Sequence, residues 1–200
     1  MQLSRKCQYE TLKVLKESGL RLLLVGYESG NAEILKNIKK GVSLETARKF
    51  TKDCKKLGIK IHGTFILGLP VETKENIEET IRYACEIDPD TMQVSLAAPY
   101  PGTELYKQAE ENGWFANSKL IDESGMQDSV LQYPNLSRVE IFESLEKFYK
   151  RFYFRPKPLL RMLKSMILDS EVRKRRLEEG KEFLHFMSER KKTRKALRAS

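Results

Sequence analysis

The sequence is short of the residues that hold metals and staple folds. Its three cysteines, Cys7, Cys54 and Cys85, stand far apart along 200 residues. Gaps that wide make neither a disulfide framework nor a metal-ligand spacing, so a reducing cytoplasm is the expected compartment and no metal ligands are assigned. Histidine is scarcer, with two in the chain. His62 has no second histidine or acid near it in sequence and reads as a strand residue with a satisfied hydrogen bond. No window reaches the roughly 18 apolar residues of a membrane span, and the N-terminus is too polar for a signal peptide. Acidic charge is also in deficit: the net charge is +9. That surplus is local, because Arg173 to Arg198 holds eleven Lys/Arg against four Asp/Glu. The charge belongs to a tail and says little about the body.

What is present is an alternation of helix and strand. Tyr9, Leu12 and Leu15 predict a first helix over residues 9–17, and LRLLLV at 20–25 reads as a strand buried on both faces. Ile34, Leu35 and Ile38 give a short helix closed at Gly41. Ser43 then caps a longer helix with Ala47, Phe50, Cys54 and Leu57 on one stripe. Residues 59–67 are the next strand, Thr73 starts a helix that Asp88-Pro89 closes, residues 91–97 are a third strand, and 102–111 a further helix. Such alternation implies right-handed crossovers and a parallel sheet. Residues 115–136 read as an irregular connector, and 137–200 as a helical, basic extension with helices at about 137–151, 159–168 and 171–190.

Three strand exits carry candidate chemistry. In GYESG, Glu28 sits just past a buried strand, where ligands bind in parallel sheets. It can accept hydrogen bonds from ribose hydroxyls or an ammonium group, or serve as a helix N-terminal acid. Lys40 ends the KNIKKG helix, where the helix dipole alone accounts for a cation. In GTFILGLPVE, Gly68 admits close backbone approach, Pro70 fixes the turn, and Phe65, Ile66 and Leu67 offer an apolar face. In AAPYPGTELY, prolines stiffen the strand exit and leave backbone exposed, although PGT is also a common helix start.

In this order the three motifs resemble the latter half of a radical S-adenosylmethionine (SAM) domain, over about residues 9–114. The strings LLLVGYESGNAEILKNIKKG, VSLAAPYPGTELYKQAEENGW and FYFRPKPLLR are most similar to radical SAM proteins associated with hopanoid biosynthesis. Proteins of that kind typically carry an N-terminal cobalamin-binding-type domain. The resemblance implies an α/β fold, the C-terminal half of a partial (β/α)6 TIM-like barrel, with residues 1–114 forming that half. It implies that Glu28, Ser29, Lys40, Phe65, Leu67, Gly68, Ala98 and Pro99 bind the SAM cofactor. A complete enzyme would use SAM and a [4Fe–4S] cluster, with cobalamin possible, to form a 5′-deoxyadenosyl radical. For the hopanoid group the implied reaction is radical ring contraction of a sugar-bearing hopanoid lipid to a cyclitol-ether head group.

Two departures stand out. The CxxxCxxC cluster motif is absent, so the chain is expected to be a fragment, inactive alone, whose partner is the missing N-terminal half of the barrel. No catalytic residue is assigned to it. Val71 also stands where glycine is usual in this turn. The alternatives are a truncated cobalamin-type radical SAM methyltransferase, or a non-enzymatic module binding membrane or RNA through its tail. For the tail, packing on the barrel is preferred over peripheral contact with the inner membrane face, and nucleic acid is disfavoured for want of a recognised module.

Overall fold

The computed structural model describes residues 9–116 and 130–168, with scattered positions between 173 and 192. The elements run α1 (Tyr9–Glu17), β1 (Leu22–Glu28), α2 (Ala32–Asn37), α3 (Leu44–Lys56), β2 (Lys60–Leu67), α4 (Lys74–Ile87), β3 (Thr91–Leu96), α5 (Glu104–Glu111), α6 (Arg138–Tyr153) and α7 (Pro156–Leu168). The strands form one parallel sheet in the order β1-β2-β3.

Local chemistry sets the helix boundaries. The Ser43 side chain accepts from the Thr46 N–H at the start of α3. Thr73 and Asn76 form a reciprocal capping box on α4, and Ser137 and Glu140 do the same for α6. Each such cap is worth about 1 kcal/mol because it satisfies otherwise orphaned N–H groups. α7 starts at Pro156, three residues earlier than expected. A proline fits the first helical position, where no N–H partner is needed.

Among the described residues, the packing against the sheet gathers on one face. Tyr27 stacks on Phe65 with ring centroids 5.6 Å apart, Phe65 meets Phe148 of α6 at 5.2 Å, and the Tyr27 hydroxyl bonds Thr51 of α3 at 2.5 Å. Val25, Ile61, Phe65, Leu67, Met92, Val94 and Leu96 line this covered face. The opposite face carries Leu22, Leu24, Gly26, Lys60, His62, Thr64, Ile66, Thr91, Gln93 and Ser95, all exposed or half-buried.

β1 is therefore not buried on both faces: Leu22 is 47% and Leu24 59% exposed. Among the described residues it is an outer strand covered from the helix side alone. It also runs to Glu28 instead of stopping at Val25, since a bulge between Gly26 and Glu28 shifts the register and extends the pairing. At the far end of the sheet, Asp88 anchors α7. Its carboxylate is 2% exposed and meets Arg155 at 2.8 Å and Arg161 at 3.2 Å. Burial opposes its charge, but Arg161, Lys55 and Arg155 hold its pKa below the usual carboxylate range. Most of the connector lies outside the described residues, and the predicted helix at 171–190 is described only at scattered positions, which are helical and do not include Phe183 or Phe186. Among the described residues, no helix is long and apolar enough to cross a membrane.

Candidate functional site

The three strands end side by side, and the ends are strained. The Ser29 N–H donates to the Tyr27 carbonyl at 2.8 Å, closing a γ-turn centred on Glu28, whose φ is 63°. A non-glycine residue there costs on the order of 1–3 kcal/mol and persists only where its surroundings over-determine it. Here they do. Ser29 is fully buried, its hydroxyl 3.0 Å from that of Thr80 on α4, and the Gly30 N–H donates to the same Thr80 oxygen at 2.9 Å. A Cβ on Gly30 would lie 2.5 Å from the Tyr83 Cβ and 2.7 Å from the Thr80 Cα, so only glycine lets the loop seat on α4.

That loop aims Glu28 over the uncovered face, where its Oε1 accepts from the Lys40 Nζ at 2.7 Å. Both side chains are mostly shielded, at 19% exposure for Glu28 and 14% for Lys40. Gly26 makes the room: a Cβ there would sit 2.3 Å from Glu28 Oε1 and 3.1 Å from Lys40 Nζ. Lys40 does not end α2, as the spacing suggested. The helix stops at Asn37, and the N–H groups of Lys39 and Lys40 return to the carbonyls of Lys36 and Leu35. This Schellman turn, with Lys39 at φ 54°, swings Lys40 back beside Glu28.

At the β2 exit the apolar side chains do not face a ligand. Phe65 and Leu67 are fully buried on the helix-packed face, and alternation leaves Thr64 and Ile66 on the open one. Ser29 is likewise turned into the α4 contact. Gly68, at φ 78°, is held from both sides: its N–H donates to Glu72 Oε2 at 2.7 Å, and its carbonyl accepts from the Tyr133 hydroxyl at 2.7 Å. A Cβ on Gly68 would lie 3.4 Å from Ile141, so protein packs closely there. Glu72 is fully buried, also accepts from the Leu69 N–H at 3.3 Å, and leaves Oε1 without a partner. Burial pushes its pKa up to about 7, with the Gly68 and Leu69 N–H groups opposing. Val71 takes the left-handed conformation that glycine would, at φ 61°.

The Ala97 N–H donates to the Leu67 carbonyl at 2.8 Å, which sets the β3 exit beside that of β2; Ala98 is half-buried and Pro99 buried there. Deeper on the open face, His62 Nδ1 lies 2.8 Å from the Thr91 hydroxyl, the satisfied strand histidine expected from sequence. Burial lowers its pKa, with Gln93 opposing, so it is neutral at pH 7. The cleft of about 240 Å³ lined by Leu22, Lys60, Thr91 and Arg161 lies at the opposite, N-terminal strand ends.

The structure thus brings Glu28 and Lys40 together, aligns the Gly68 and Ala98 backbones with them, and turns Ser29, Phe65 and Leu67 away. A carboxylate and an ammonium side by side at the strand exits suit a zwitterionic ligand bearing vicinal hydroxyls. They do not suit a metal cluster. Cys54 is buried in the core, the Cys85 Sγ donates to the Arg151 carbonyl at 3.7 Å, and Cys7 lies outside the described residues. Among the described residues, no three metal-ligating side chains gather. Sequence reasoning missed Gly26, Glu72 and Tyr133. Glu72 gave no signal because a glutamate is ordinarily exposed, and Tyr133 sits in the stretch read as irregular.

Residues 3–84 match the family model described as Radical SAM superfamily. The chain is 35% identical over 153 residues to an uncharacterized methyltransferase of Pyrococcus horikoshii, covering 74% of this chain and 32% of the relative. It is 28% identical over 169 residues to the bacteriochlorophyllide d C-8(2)-methyltransferase of Chlorobaculum tepidum, covering 78% and 37%. The chain spans about a third of the length of these curated relatives. Among solved structures, the radical SAM methyltransferase TsrM of Kitasatospora setae, with tryptophan and a SAM analogue bound, superposes with a TM-score of 0.59 at 17% identity, covering 76% of this chain and 34% of that one. The coproporphyrinogen III oxidase HemN of Escherichia coli gives 0.56 at 18%, covering 76% and 31%. Both share the α/β fold.

Proposed function

We propose that this chain, whose residues 3–84 match the Radical SAM superfamily model, supplies one wall of the SAM site of a longer radical SAM enzyme whose reaction is methyl transfer. The observation that carries this is the Glu28–Lys40 pair, held at 2.7 Å over the ends of parallel strands by a strained γ-turn. Backbone strain held in place by packing beside a shielded charge pair supports this reading, because such strain clusters at ligand-binding sites.

Glu28 accepts the ribose hydroxyls, and Lys40 meets the carboxylate of the methionyl end while keeping the Glu28 charge balanced. The Gly68 and Ala98 backbones border the adenine, and the buried side chains of Phe65 and Leu67 stiffen that border from behind. Bound SAM supplies the methyl or adenosyl carbon. These residues hold and orient it and shield it from water. The chain's cysteines do not fit a [4Fe–4S] cluster, whose ligands belong to the remainder of the longer protein. That remainder would pair along the outer edge of β1.

Methyl transfer, with cobalamin as a possible carrier, draws support from the methyltransferase names of the relatives. Hopanoid ring contraction rests only on the sequence strings quoted above, and none of the named relatives supports it. A titration of the isotope-labelled chain with SAM, followed by amide NMR, tests the site. Shifts should concentrate at Glu28, Ser29, Lys40, Gly68 and Ala98. A response confined to the N-terminal strand ends, or none at millimolar SAM, would count against it.

A further inference from the structure

We infer that Tyr149 and Tyr153 form a lock that ends the sheet at β3 and bars a further strand, such as that of a second copy of this chain, from adding there. β3 is an edge strand in the order β1-β2-β3. In a parallel strand, alternate residues direct their N–H and C=O groups outward, and such an edge is a template for another chain. Hydroxyls from α6 occupy those groups. The Met92 N–H donates to the Tyr153 hydroxyl at 3.0 Å, and that hydroxyl donates to the Met92 carbonyl at 2.9 Å. The Val94 N–H donates to the Tyr149 hydroxyl at 3.1 Å.

The fit follows from the two repeats. Residues four apart on a helix rise about 6 Å, and residues two apart on a parallel strand span about 6.6 Å. Two tyrosines at that helical spacing therefore reach two successive outward positions when helix and strand run in opposite directions. Tyr153 pairs with the earlier strand residue and Tyr149 with the later one, so α6 does run antiparallel to β3. The rings stack with centroids 6.3 Å apart and planes 7° from parallel, which holds both hydroxyls to the strand spacing. Phe148 and Phe152 on the same helix are buried in the core and fix its height over the sheet. The lock depends on no ligand and is independent of the SAM reading.

Hydrogen exchange and sedimentation test it on the 200-residue chain. Replacing Tyr153→Phe should speed exchange at the Met92 amide about tenfold, leaving the β2 amides of Ile61 and Phe65 at their wild-type rates. Tyr149→Phe should do the same at Val94 alone, and these single variants keep the test readable if the double variant folds poorly. The double variant should associate with rising concentration beyond the wild type. Unchanged exchange at both amides, or a double variant no more associated than wild type, would overturn the lock.

Discussion

The two faces of the three-stranded sheet differ in what holds them. The helix-packed face is closed by volume: Phe65 touches rings from β1 and α6 and has no exposed surface. The opposite face is held by backbone geometry and a charge pair. Its critical glycine, Gly26, borders flexible side-chain tips, whereas Gly30 borders helix backbone. One face is therefore built for stability, and the other has its strain placed where a ligand would dock.

The contrast breaks most visibly at adjacent residues. Phe65→Ala should cost about 3–5 kcal/mol, the range for emptying a buried aromatic site, whereas Thr64→Ala on the open face should stay within about 0.5 kcal/mol. Urea unfolding of both variants checks this, and equal losses would mean the open face is as tightly packed as the other.

A comparable or smaller effect, of about 3 kcal/mol, comes from Glu72 at the rim between the faces. Its folded pKa of about 7 lies above the ordinary value, so the fold binds the proton more tightly than the unfolded chain does. The stability contributed is full below about pH 4.5 and is lost as pH rises through 7. Other carboxylates act in the opposite sense, such as Glu140, which Lys74 and the Ser137 cap hold down to about 2. The informative quantity is thus the difference in stability between wild type and Glu72→Gln across pH 4 to 8. It should slope against the wild type as pH rises, and a flat difference would mean Glu72 titrates normally.

Val71 tests the strain itself. Replacing Val71→Gly removes a β-branched side chain from φ 61° and should raise stability by about 1 kcal/mol, after the added freedom of the unfolded chain is allowed for. A thermal melt reads it, and a lowered Tm would place the strain elsewhere.

Much of this is legible in the sequence alone. The stripe Ala47, Phe50, Cys54 with the Ser43 cap announced α3, and the Thr73 start announced α4, because helical periodicity and capping are local. The order of the three exits placed Glu28 and Lys40 in one neighbourhood. What escaped was non-local or a matter of parity. Phe65 and Leu67 belonged to the right strand but the wrong face, which no single apolar run reveals. The Schellman turn at Lys39 occurs without glycine, and the Tyr149–Tyr153 contact with β3 joins residues over fifty positions apart. LRLLLV looked doubly buried because leucines mark burial only when something covers them.

Gly26→Ala tests the central claim most directly. The added methyl collides with the Glu28 carboxylate and the Lys40 ammonium, both movable, so the fold should survive within about 0.5 kcal/mol while the pair is displaced. SAM titration of this variant beside the wild type should show an unchanged Tm and a loss of the amide shifts at Glu28 and Lys40. Wild-type binding in the variant, with the pair shown displaced, would contradict a role for Glu28 and Lys40 in holding SAM.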